Sequence, residues 1–279
     1  MKSTLKKNRS VSQSIAQAWT NYEKQVRSSR SKASIKNIHK LRVSTQKFEA
    51  ILNLANCVHQ NNRSKNIISQ VKNIRKSLGP LRDMHIQFKK LQKFKIKNFS
   101  DKKQNAFLKF MSGQKKAAHK KAIQRLDDIS LRDEKNDVKK IIKKIKNYES
   151  ENNKKSNQIQ LNSKMKIDMS FLNDSLRNIN PERAKEIHEF RTLAKKIRYQ
   201  AEYINSITDS KKYDLKKIKF IQNITGEIQN DSVLIHTLDH FLKIKKNYNN
   251  SKVLKIKKEI QDHQAAIVKK DLNHLTALK

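Results

Sequence analysis

The chain has 279 residues, 35% of them apolar, and sets 64 Lys and Arg against 25 Asp and Glu for a formal net charge of +39. A chain this basic repels itself and calls for a polyanion, whether nucleic acid, an anionic membrane surface or inorganic polyphosphate. Three glycines, two prolines and a single cysteine exclude a hairpin-rich sheet protein, a Gly-rich phosphate loop and a disulfide framework, and leave Cys57 without metal-ligand spacing.

The N-terminal "MKSTLKKNRSVSQSIAQAW" is basic but lacks the apolar run of a secretory signal. No stretch approaches the roughly 18 apolar residues of a membrane span, so a cytoplasmic protein in a reducing setting is expected. Val11, Ile15, Trp19, Tyr22 and Val26 recur at helical steps and predict a first amphipathic helix. Ile35, Ile38, Leu41, Phe48 and Leu52 predict a second; Ile67, Val71, Ile74 and Leu78 a third, ending at Gly79-Pro80 with the glycine as a left-handed cap. Met84, Phe88 and Leu91 start a fourth. Two basic helices follow, around Phe107 to Leu126 and Val138 to Tyr148.

Between Glu149 and Lys164 the text "ESENNKKSNQIQLNSK" is polar and aperiodic and reads as a linker or frayed crossover. Beyond it, helices are predicted around Glu182 to Ile207, Leu215 to Thr225, Ile228 to Phe241 and Val253 to Ile267. Trp19, Tyr22, Phe88 and Phe190 fall at apolar-face spacing and are expected in the core rather than as base-stacking platforms. His236 and His240 stand one turn apart, but two histidines alone are incomplete ligation, so no metal site is assigned.

The two sides of the polar stretch resemble each other. "IHKLRVSTQKFEAIL" (Ile38 to Leu52) aligns with "IHEFRTLAKKIRYQAEYI" (Ile187 to Ile204), and "IRKSLGPLRD" (Ile74 to Asp83) with "IQNITGEIQN" (Ile221 to Asn230). His39 and His188 are 149 residues apart, Gly79 and Gly226 147, which suggests a duplicated helical unit.

At about 100° per residue, His188, Arg191, Lys195 and Arg198 share an arc of roughly 80° that borders the apolar arc of Ile187, Phe190, Ala194, Ile197, Ala201 and Ile204. A basic stripe beside a core face is the placement of a cavity wall; a solvated stripe belongs on the opposite side. His39, Arg42 and Gln46 repeat the arrangement more weakly in the first segment, where Glu49 takes the position of Arg198. Lys47 and Lys196 point away from the stripe's centre. Cations crowded beside a core repel one another, and an anion rich in oxygens relieves that repulsion, with arginine supplying a planar fork and lysine a point charge. The chemistry points to phosphate, and no nucleophile with its base accompanies it.

At these residues the sequence resembles the CHAD family, the conserved histidine α-helical domain. "HKLRVSTQK", "LGPLRD", "HEFRTLAKKIRY" and "TGEIQND" stand in the family's order, and the resemblance covers nearly the whole chain. It implies an all-α fold of two similar helical bundles around a basic cavity: a single domain over residues 1–279, with halves 1–150 and 165–279 joined by a linker or crossover at 151–164. It also implies non-enzymatic binding of inorganic polyphosphate, at intracellular polyphosphate granules and without a cofactor. Carried over by position, the anion-contacting candidates are His39, Arg42 and Lys47, then His188, Arg191, Lys195, Lys196 and Arg198, with Arg82 as a further candidate. Gly79 and Gly226 are expected to be tight helix ends. Gln46, Thr225 and Asn230 depart from the family pattern, with Asp231 one place beyond the acidic position.

Some members are fused to a triphosphate-processing CYTH domain, marked by Glu-x-Glu-x-Lys before a strand-rich barrel. "ESENNK" (Glu149 to Lys154) does not fit that spacing, so a stand-alone member is expected. The rival function is non-specific nucleic-acid binding by the outer basic helices, above all the Lys139 to Lys146 face.

Overall fold

Ten α-helices account for nearly all of the described residues, and no strand occurs among them. The computed structural model describes residues 9–93, 102–151, 154–180, 183–208, 213–244 and 251–272. The first six helices are α1 (Val11–Ser31), α2 (Ile35–Val58), α3 (Asn62–Ser77), α4 (Gly79–Lys93), α5 (Lys102–Asp127) and α6 (Leu131–Glu151). They are followed by α7 (Lys154–Asn178), α8 (Ala184–Ile207), α9 (Leu215–Ile244) and α10 (Ser251–Ile267). None is long and apolar enough to cross a membrane.

Local chemistry sets the starts of the early helices. Ser10 accepts from the Gln13 N–H while the Gln13 side chain returns to the Ser10 N–H, a capping box for α1. Ser34 caps α2 through Asn37 N, and Asn61 caps α3 through Arg63 N. The start of α1 is held from outside as well. Glu149, near the end of α6, accepts from Val11 N at 2.7 Å and from Ser12 Oγ at 2.6 Å, placing a carboxylate at the positive end of α1.

α2 lies at the centre and packs against α1, α3, α4, α7 and α8. Its Ile38, Leu41, Phe48 and Leu52 are fully buried, as the periodicity predicts, whereas Ile35, expected on the same face, is exposed in the first turn. Phe48 lies 5.9 Å from the Trp19 ring and 5.6 Å from the Tyr22 ring, so the aromatic residues of α1 are core residues. The Tyr22 hydroxyl donates to buried Glu134 of α6 at 3.1 Å. Burial pushes the Glu134 carboxyl up to about 7. A second cluster, including Leu91, Phe107, Leu238, Phe241 and Ile260, unites α4, α5, α9 and α10. Phe88 packs against its edge, and Phe190 is buried in the first core.

Three sequence expectations are corrected. The polar stretch is helical from Lys154 onward, with residues 152 and 153 outside the described residues. Leu161, Met165, Leu172 and Leu176 form a narrow buried stripe on α7, too sparse to stand out among the Asn, Ser and Lys around it. Gly79 is no left-handed cap. Leu78 keeps right-handed angles of φ −82° and ψ −6°, and α4 begins at Gly79 itself, with Pro80 in the first turn, where its missing N–H costs nothing. Gly226 ends no helix, because the segments expected on either side of it form the single helix α9. One glycine lowers helix stability by about 1 kcal/mol, and packing along the whole of α9 outweighs that.

The helical reading of the polar stretch predicts that Leu161→Ala destabilises the protein by about 2–5 kcal/mol in denaturant melts, the usual effect of truncating a fully buried leucine. A side chain on a solvated linker would change stability by less than about 0.5 kcal/mol.

Candidate functional site

The apolar arc of α8 is buried as a unit: Ile187, Phe190, Ala194, Ile197, Ala201 and Ile204 are all in the core. Burying that arc against α2, α7 and α9 fixes the rotation of α8. His188, Arg191 and Lys195 then face a cavity of about 210 Å³. The opposite wall is α2, which contributes His39, Arg42 and Gln46. Arg82, Asp83 and Gln87 enter from α4, and Gln229, Asn230 and Val233 from α9.

Six of the nine candidate residues therefore line one space: His39, Arg42, Arg82, His188, Arg191 and Lys195. Lys196 lines a neighbouring pocket of about 470 Å³, which shares Gln46, His188 and Lys195 with the cavity and adds Lys72, Arg75 and Glu49. Lys47 and Arg198 line neither space. Glu202 holds both, with Lys47 Nζ at 2.8 Å and Arg198 at 3.3 Å. Both also lie over the Tyr199 ring, Arg198 at 4.4 Å and Lys47 at 5.6 Å. Arg198 shares the stripe in projection, but one further turn of α8 carries it past the cavity.

Charge in the cavity is one-sided. Asp83 is the one carboxylate in the lining, and burial pushes its pKa up against the pull of Arg42, Arg191 and Arg82. Burial, with repulsion from Arg75, Arg82 and Arg191, brings Arg42 down to about 10 despite the attraction of Asp83. Lys195 falls further, to about 7, through burial and then Arg191, Arg42, Arg75 and Arg198. Arg191, Arg82 and His39 are likewise lowered, chiefly by burial.

The two principal arginines are seated differently. Arg42 donates to the Arg75 carbonyl. Arg191 Nε is buried, and no hydrogen-bond partner is found for it among the described residues. Donors without protein acceptors, crowded and partly desolvated, make a site for an oxygen-rich anion.

Sequence reasoning passed over Asp83, Gln87, Gln229 and Asn230 as lining residues. Asp83 and Asn230 end the two aligned segments, so the alignment carried that signal; the glutamines had none. Asn230 faces the cavity with a neutral amide. Asp231 is fully buried in a different set of contacts, with Lys90 and with His263 Nδ1 at 3.0 Å. Thr225, also buried, satisfies its hydroxyl on the Ile221 carbonyl at 2.9 Å, so its presence in place of leucine leaves no orphan group. His240 lies 5.8 Å from the Phe110 ring, away from the cavity.

Comparison with known proteins follows the same lines. The fold is similar to the crystal structure of the CHAD domain from the plant Ricinus communis, with a TM-score of 0.70 at 14% identity over 97% of this chain and 91% of that one. It is similar also to PptA from Streptomyces chartreusis, with a TM-score of 0.65 at 11% identity over 96% of each chain. At such identities the likeness speaks for the fold alone. No curated protein matches the chain. The sequence model of the CHAD domain matches residues 11–239, a span that holds every lining residue of the cavity, and on that match the chain belongs to the CHAD domain family.

Proposed function

We propose that the protein binds inorganic polyphosphate in the cavity between α2, α4, α8 and α9, without turning it over, and so associates with polyphosphate granules in the cytoplasm. The observation that carries this reading is the uncompensated charge: three arginines, a lysine and two histidines line the cavity with one carboxylate. A linear polyanion presents oxygens at regular intervals, so several of these donors are met at once and their mutual repulsion is relieved. Catalysis is not part of the proposal. Asp83 faces the arginines, and no second carboxylate of the lining joins it to hold Mg²⁺ over a phosphoryl group. Phosphate release on incubation with polyphosphate and Mg²⁺ would overturn that part.

The second reading is non-specific nucleic-acid binding on the outer surface. It has one specific support, the exposed lysines of α6: Lys139, Lys140, Lys143, Lys144 and Lys146. Binding of that kind is dominated by counterion release and falls steeply with salt. The two readings separate on a titration of polyphosphate against single-stranded DNA and RNA of matched charge at two salt concentrations.

Charge reversal at the shared wall, Arg191→Glu with Lys195→Glu, is expected to weaken polyphosphate binding by about 100-fold or more, since each residue supplies a charge-assisted contact. Far-UV circular dichroism should stay helical. Neutralising the α6 lysines should lower nucleic-acid binding and leave polyphosphate binding nearly unchanged; the reverse pattern would move the site to the surface.

The pH dependence has a definite sign. With Lys195 brought down to about 7 in the free cavity, its ammonium loses its proton far more readily than that of an exposed lysine. A bound polyanion raises that pKa, so binding takes up protons, and affinity is greatest below pH 7 and falls as pH rises through it. Between pH 6 and 9 affinity for long-chain polyphosphate should drop by about ten-fold. Lys195→Arg, which stays charged throughout, should flatten the profile.

A further inference from the structure

The chain has three glycines, Gly79, Gly113 and Gly226. Two of them lie against the arginines of the two aligned segments. A Cβ built on Gly226 would come to 3.0 Å from Arg191 Nε and 3.1 Å from its NH2 nitrogen, and one on Gly79 to 3.7 Å from the Arg42 NH1 nitrogen. Around Gly113 nothing lies within 4 Å. The spacing at Gly79 is an ordinary contact, which alanine tolerates. The spacing at Gly226 is not.

Gly226 lies inside α9, where glycine is the poorest helix former after proline. Its conformation does not require glycine, since it is simply a turn of a continuous helix. What requires it is the close approach of the Arg191 guanidinium to the helix surface. Arg42 is anchored by donating to the Arg75 carbonyl, whereas buried Arg191 Nε lacks such an acceptor among the described residues. The position of the Arg191 fork therefore depends on the surface it rests on.

We infer that Gly226 is a positioning residue for anion binding: its missing Cβ opens the seat on α9 in which the Arg191 guanidinium rests at the cavity wall. The inference builds on the anion-binding reading of the cavity and adds a residue that touches no ligand. Even a methyl group at this position obliges the fork to give by a few tenths of an ångström, and a larger side chain by more, which shifts its paired donors although the arginine and its charge remain.

The test is a glycine series in the full chain, with long-chain polyphosphate as probe. Gly226→Ala should weaken binding about ten-fold, the loss of one well-aligned charged contact. Its melting temperature should hold or rise, because alanine is the better helix former. Gly79→Ala should bind within about two-fold of the natural protein, and Gly113→Ala should bind unchanged and melt a few degrees higher. A cycle with Arg191→Lys separates positioning from general damage, because lysine has no planar fork to seat.

Gly226→Ala should add little to the loss already present in the Arg191→Lys background. An equal further loss in that background, or no loss in the natural one, would overturn the inference. If Arg191→Lys weakens binding while Gly226→Ala does not, the positioning role alone fails. If neither changes binding, the anion-binding reading of this wall fails first.

Discussion

Cations crowded into a partly desolvated cavity repel one another, and much of the surrounding structure can be understood as the means of holding them there. Burial lowers Arg42, Arg191, Arg82 and Lys195 alike, and each of these shifts reflects interaction with neighbours of the same sign or loss of water. Left to relax, the side chains would turn toward solvent. They stay because their helices cannot rotate: the arc of α8 beside the stripe is wholly apolar and buried, and α2 opposite it is bound by five other helices. Rigidity of the core thus holds the positive potential of the cavity in place.

The acidic residues near the site sharpen this arrangement. Glu49 pairs with Arg75 at 2.7 Å and Lys72 at 3.4 Å, and Glu202 with Lys47 and Arg198. Both carboxylates neutralise cations outside the cavity. Inside it Asp83 faces several cations alone, and Asn230 presents an amide where a second carboxylate would have reduced the imbalance. Glu49, which in sequence looked like a spoiler of the first stripe, is a counterion for Arg75 in the adjoining pocket. Charge is compensated at the margin and left uncompensated at the centre.

Most of the architecture was legible because amphipathic helices with full apolar faces announce themselves: the predicted apolar residues of α1, α2 and α8 are buried, apart from Ile35 at the exposed start of α2. α7 escaped because its stripe is only four residues wide in a polar text, and its helicity comes from packing on α2 and α8 rather than from composition. The stripe on α8 was legible as a direction but not as a depth. Angular projection places Arg198 with Arg191 and Lys195, yet it cannot show that the cavity ends a turn earlier and that Tyr199 and Glu202 receive Arg198 instead. Gly226 was read as a helix end because a glycine's local meaning is punctuation. Its actual neighbour is a side chain 35 positions earlier in the chain, which no local reading contains.

α9 shows how one helix can serve two purposes without conflict. One side gives the cavity Gln229, Asn230 and Val233 and gives Arg191 its seat at Gly226. From another direction the same turns are pinned: Asp231, fully buried, takes Lys90 of α4 and His263 of α10, while Gln264 donates to the Ile228 carbonyl at 3.1 Å and to Ser232 Oγ at 2.7 Å. A wall that receives a charged fork at van der Waals distance has to resist being pushed away, and polar contacts from behind supply that resistance more directionally than apolar packing does. With an amide at 230 and the acid at 231, the negative charge stands outside the cavity lining and ties α9 to its neighbours.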